Sequence, residues 1–148
     1  MHLTKGALRV ELDPSTGSVL KVEDVRARWA YFDRTERGAP SCPLFRLMAP
    51  TPAWPGRHAD SDASGAPRVE RRNGGYELRY PDLRINGRRT GLETAVAIAP
   101  SPRADEICFR LRVRNRSPFP VNEVQFPRIA GWRGRDGPGK DTLIAGAV

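Results

Sequence analysis

From Ile107 to Arg114 the chain alternates without interruption. Ile107, Phe109, Leu111 and Val113 are apolar, and Cys108, Arg110, Arg112 and Arg114 fall between them. A period of two over eight residues is the signature of a β-strand with one face against a core and the other in water. A proline-bounded break follows at Ser117-Pro118-Phe119-Pro120, then a second alternating run in which Val124 and Phe126 would share a face. The pair predicts a large antiparallel sheet.

The same pattern recurs upstream. Leu8, Val10 and Leu12 alternate with Arg9 and Glu11, and the turn Asp13-Pro14-Ser15-Thr16-Gly17 leads into Val19–Val22. Pro presets φ and Gly supplies a positive φ, so residues 7–23 read as a β-hairpin. Asn73-Gly74 separates Arg68–Arg72 from a run in which Tyr76, Leu78 and Tyr80 share a face. Asn-Gly between alternating runs is a strong hairpin signal. Asn86-Gly87 makes a second such turn, and Thr94, Val96 and Ile98 alternate before the turn at Pro100-Ser101-Pro102. Leu44–Met48 is a short apolar run expected to be a buried strand, and Leu143-Ile144 looks like one more strand. Residues 25–32 fit either a short helix or an irregular strand. Residues 50–67, rich in Pro, Gly, Ala, Ser and Asp, read as a loop. The expectation is an all-β antiparallel sandwich of about nine strands. It forms a single domain over residues 1–148, a length sufficient to bury a core.

The net charge of +8 raises the question of a nucleic-acid partner. The cations are 22 Arg and 3 Lys, spread along the whole chain and interleaved with acids, as in Arg103-Ala104-Asp105-Glu106. No block of five like charges occurs, so a dedicated nucleic-acid surface is not expected. No 18-residue apolar run predicts a membrane span. The opening MHLTKGALRVEL has neither an apolar core nor a small-residue cleavage site, which makes the cytoplasm the expected location. Cys42 and Cys108, the only two cysteines, are expected to be free thiols in that compartment.

Candidates for chemistry are few. His2 and His58 sit in no ligand spacing, so neither a metal nor a cofactor is expected. No nucleophile elbow appears, and Gly139-Lys140 is followed by Asp141 rather than by the Ser or Thr of a phosphate loop. Glycoside hydrolysis needs two carboxylates across a cleft, and Glu93, Glu106, Glu123, Asp136 and Asp141 are available. Glu93, Glu106 and Glu123 are instead expected to pair with Arg110, Arg112 and Arg114 across the sheet. No catalytic residue is assigned. Trp54 and Trp132 lie in or beside loops, where an indole can stack on a sugar ring or plug the end of a sandwich. Trp29 is expected in the core. The Arg face of residues 107–114 is open to three readings: an anion site, a solvent face, or a surface that docks another domain.

Two segments carry a family likeness. LRVELDPSTGSVLKVED resembles the opening of the galactose-mutarotase-like β-supersandwich found at the front of several glycoside hydrolases. FRLRVRNRSPFPVNEVQFPRIAGW is similar to the segment of those domains in which a strand ending in Asn-Arg-Ser precedes one ending in Phe-Pro. The resemblance implies a supersandwich that packs on a catalytic (β/α)8 barrel and helps shape its carbohydrate cleft. It implies that the chemistry lies in that barrel, outside this chain, and that the chain is the front part of a longer protein. On that footing Trp54, Trp132, Arg128 and Asp136 are the expected carbohydrate contacts. Two alternatives stand beside it. One is a free-standing sugar epimerase or hydrolase, and the other an Arg-rich module for an anionic polysaccharide or nucleic acid.

Overall fold

The computed structural model describes residues 1–35, 42–49 and 57–131. Its elements are almost all strands: β1 (His2–Lys5), β2 (Leu8–Leu12), β3 (Val19–Asp24), β4 (Trp29–Asp33), β5 (Arg46–Ala49), β6 (Arg57–Asp60), β7 (Arg68–Arg72), β8 (Gly75–Tyr80), β9 (Arg84–Ile85), β10 (Arg88–Arg89), β11 (Leu92–Pro100), β12 (Ile107–Asn115) and β13 (Glu123–Gln125). A single 3-10 turn, Asp62–Ser64, is the helical exception among the described residues.

Two four-stranded antiparallel sheets form the body, β1-β2-β3-β4 and β12-β11-β8-β7. A three-stranded sheet, β13-β5-β6, and the small β9-β10 hairpin complete it. The fold is an all-β antiparallel sandwich, as the alternation requires. One core joins the layers: Val10, Leu12, Val19 and Phe32 from the first sheet, Leu47 from the third with Phe45 just before it, and Leu78, Tyr80, Val96 and Ile98 from the second. The edge of the Phe45 ring meets Tyr80 at 90°, with centroids 5.1 Å apart. The Tyr80 hydroxyl donates to the Thr16 carbonyl at 2.8 Å, and burial raises its pKa well above the ordinary tyrosine value.

That bond explains the first turn. Gly17 has φ +77°, and a Cβ there would run into the Tyr80 hydroxyl, so the turn that closes the 8–24 hairpin also makes room for the opposite layer. Gly75 matters for a different reason. A Cβ on it would strike the Ile98 carbonyl oxygen and stand 2.8 Å from the Ala99 Cα, because β8 and β11 approach closely there.

Several expectations change. Residues 25–32 make a turn and then β4, with no helix. Asp24 caps the turn by accepting from the Arg26 and Ala27 amides at 2.9 and 2.8 Å. Trp29 is half-buried rather than a core residue. The 50–67 stretch is not all loop, since it contains β6. Arg46 and Asp60 stand opposite each other in the β5-β6 register and form a two-pronged ion pair, both contacts 2.7 Å, which fixes that strand without any apolar alternation. His58 therefore lies on a strand and is exposed. β13 ends at Gln125, before Phe126, and Val124 is 50% exposed, so Val124 and Phe126 do not share a buried face. Cys42 and Cys108 are both free thiols. Leu143-Ile144 lies outside the described residues.

Candidate functional site

Two surfaces of the β12-β11-β8-β7 sheet stand out, one on each face. They follow directly from the alternation of β12.

On the core side, β11 and β12 run in register from Leu92↔Asn115 to Pro100↔Ile107. The β11 residues facing inward, Leu92, Thr94, Val96 and Ile98, are all buried. The β12 residues on that side, Ile107, Phe109, Leu111 and Val113, are only half-buried. Between this edge and the first sheet lies an open apolar wedge of about 300 Å³, lined by Leu8, Val10, Val22, Tyr31, Ile107, Phe109 and Ile129. The layers separate at β12, and no described residue fills the gap.

On the outer side, register places Arg112, Ala95, Arg79 and Arg68 in one row, and Arg110, Ala97, Glu77 and Glu70 in the next. A line of alanine on β11 thus runs between arginines on β12 and mixed arginine and glutamate on β8 and β7. A trough of about 450 Å³ follows, whose lining includes Arg68, Arg72, Arg79, Arg112, Arg114, Glu77 and Glu93. Glu77 accepts from Arg79 Nε and from an Arg72 terminal nitrogen, both at 2.8 Å. Those two bonds, Arg79's first, hold its carboxyl below the ordinary glutamate range. Arg79 also reaches Glu70 at 3.7 Å. By contrast, none of the ion pairs among the described residues includes Arg68, Arg110, Arg112 or Arg114.

The expected pairing of acids with the β12 arginines is therefore corrected. Glu93 stands across from Arg114 in the register, but its carboxylate contacts Arg116 at 3.2 Å. Glu106 lies 3.9 Å from Arg103 and accepts from the Cys108 thiol at 3.6 Å. Glu123 accepts from the Gln125 amide. The cause is local: each acid meets a partner from a neighbouring turn or its own strand before it can reach across to β12. Glu77 and Glu93 both face the trough, yet each is held by arginine. The two bonds that Glu77 accepts favour its charged form, which is not a proton donor.

Of the expected sugar contacts, Trp54, Trp132 and Asp136 lie outside the described residues. Arg128 is half-buried. Its amide donates to the Leu44 carbonyl at 2.9 Å, and its carbonyl oxygen accepts from the Cys42 thiol at 3.6 Å. One terminal guanidinium nitrogen is buried without a hydrogen-bond partner. Arg128 thus ties the last described segment to the one before β5, and it is not part of the trough lining. No group of three or more His, Cys, Asp or Glu able to hold a metal occurs among the described residues. Among them, no helix is long and apolar enough to cross a membrane.

The trough was partly visible in the alternation of β12. What register adds is the opposite wall, Arg68 and Arg79, and the alanines between, none of which has a signal of its own in the sequence. Compared with known proteins, the chain matches no family model, no curated protein and no solved structure.

Proposed function

We propose that the chain is a non-catalytic, carbohydrate-associated β-sandwich module that packs against a catalytic domain of a larger glycoside hydrolase and helps shape its cleft. The observation that carries the packing is the apolar wedge between the first sheet and β12. Two of the half-covered inward side chains of β12, Ile107 and Phe109, border a gap of about 300 Å³, with the half-buried Leu8, Tyr31 and Ile129 on its other walls. Fully burying a side chain of that size is worth about 1.5–3 kcal/mol, so completing their cover is a substantial driving force for docking. The carbohydrate part of the reading rests on the resemblance of the two segments at residues 8–24 and 109–132 to galactose-mutarotase-like domains, and on nothing else. The supersandwich type and the (β/α)8 identity of the partner belong to the same resemblance.

The test has two steps. The reading frame downstream of the codon for Val148 is determined first, and the longer chain is then expressed and footprinted with hydroxyl radicals. An in-frame continuation into alternating strand and helix patterns, with Ile107 and Phe109 labelled less in the longer chain than in the 148-residue chain, supports the proposal. A stop codon at that position, or equal labelling in the two chains, overturns it.

A further inference from the structure

The outer face of the same sheet supports a second, independent inference. Arg112 on β12 and Arg79 on β8 stand two strands apart with Ala95 between them. Strand spacing makes that separation about 10 Å, with a floor one methyl deep. Arg114 extends one wall along β12, and Arg68 extends the other beyond Arg79. Successive arginines on β12 are about 6.8 Å apart along the strand. Arg68, Arg112 and Arg114 have no ion-pair partner among the described residues, so their guanidinium forks are free to engage a ligand.

We infer that this trough binds a carboxylate-bearing polysaccharide, a uronate chain, lying along the sheet with its rings on the alanine floor. The guanidinium groups on the two walls take the carboxylates on alternate edges of the chain by two-pronged hydrogen bonds. Glu77 and Glu93, which face the same trough, accept from the sugar hydroxyls. Stacking decides against nucleic acid. A single-stranded nucleic acid site needs exposed aromatic faces, and the one aromatic in the lining, Tyr80, is buried and bonded to Thr16. The trough lies on the face opposite the apolar wedge, so its failure would leave the docking proposal untouched.

The probe is a fluorescently labelled octagalacturonate, titrated with the 148-residue chain at low and moderate salt. Neutral dextran and a single-stranded oligothymidylate serve as comparisons. The expected result is saturable binding of the uronate that weakens with salt, and little binding of dextran. The double variant Arg112→Gln/Arg114→Gln should weaken it by at least about tenfold, the loss of one to two charge-assisted contacts. Ala95→Leu should do the same with every charge intact, because it fills the floor. Circular dichroism and the melting temperature confirm that each variant is folded. Unchanged uronate affinity in either folded variant overturns the inference, as does tighter binding of the oligothymidylate. If Ala95→Leu fails to fold, Ala95→Val gives the same reading with a smaller side chain.

Discussion

β11 and β12 are neighbours of equal length in one sheet, paired residue for residue, and each presents a row of apolar side chains to the same side. Yet the β11 row is sealed and the β12 row is not. Ile98 is 0% exposed, while its register partner Phe109 remains half-buried. The difference lies in what stands beyond the strand. β11 has β8 on its other side, and the core residues of the first and third sheets lie above it. β12 is the last strand of its sheet, and the layers part along it to leave the wedge. Alternation in a sequence therefore tells which face of a strand is apolar, and it does not tell whether the protein supplies the cover.

The largest effect is expected at Gly75. Gly75→Ala drives a methyl into the backbone of Ile98 and Ala99, pushing β8 away from β11 and opening the one row that is sealed. A loss of about 3 kcal/mol or more in chemical unfolding is expected, the scale of a core steric clash. A loss under about 1 kcal/mol would show that the two strands can separate freely. Next comes Phe109→Ser. It should leave the chain folded with a loss of about 1 kcal/mol, because the ring is already half in water, and it should lower the binding of a hydrophobic dye. Unchanged dye binding would mean that the wedge is not the exposed apolar surface.

The smallest effect belongs to the outer face. Glu77 has its carboxyl pKa lowered in the fold by Arg79 and Arg72. A lowered carboxyl pKa gives stability that is present above the unfolded value and lost as pH falls through the folded one. Glu77→Gln should therefore be less stable than the parent near neutrality, by well under 1 kcal/mol for so exposed a cluster, and the difference should vanish in acid. A gap that stays constant down to about pH 3 would point to packing rather than charge.

Much of the fold was legible. The hairpins at residues 8–24, 68–80 and 84–89 and the pair β11-β12 follow from alternation and from Asn-Gly or Asp-Pro turns. β1 and β6 were not legible. His2–Lys5 has one apolar residue, Leu3, and Arg57–Asp60 has one, Ala59, so neither shows a period. Each is a strand because a partner holds it: β2 pairs with β1 through four positions, and β5 holds β6 through Arg46 and Asp60. The candidate site was legible only by halves. The arginines of β12 announce one wall of the trough, but Ala95 and Arg79 join it only through strand register, which no local pattern encodes. Glu93 shows the same limit. Its register partner is Arg114, and its ion pair is with Arg116 two residues on.

The open wedge is the feature on which the account turns, and one pair of substitutions measures it with the side-chain chemistry held constant. Ile98 on β11 and Ile107 on β12 are the same residue on the same side of the same sheet. Urea unfolding of Ile98→Ala should show a loss of about 3 kcal/mol, the cost of a cavity in a sealed core. Ile107→Ala should lose about 1 kcal/mol, because water already reaches that side chain. Equal losses at the two positions would mean that the β12 row is as well covered as its neighbour, and that there is no open face for another domain to complete.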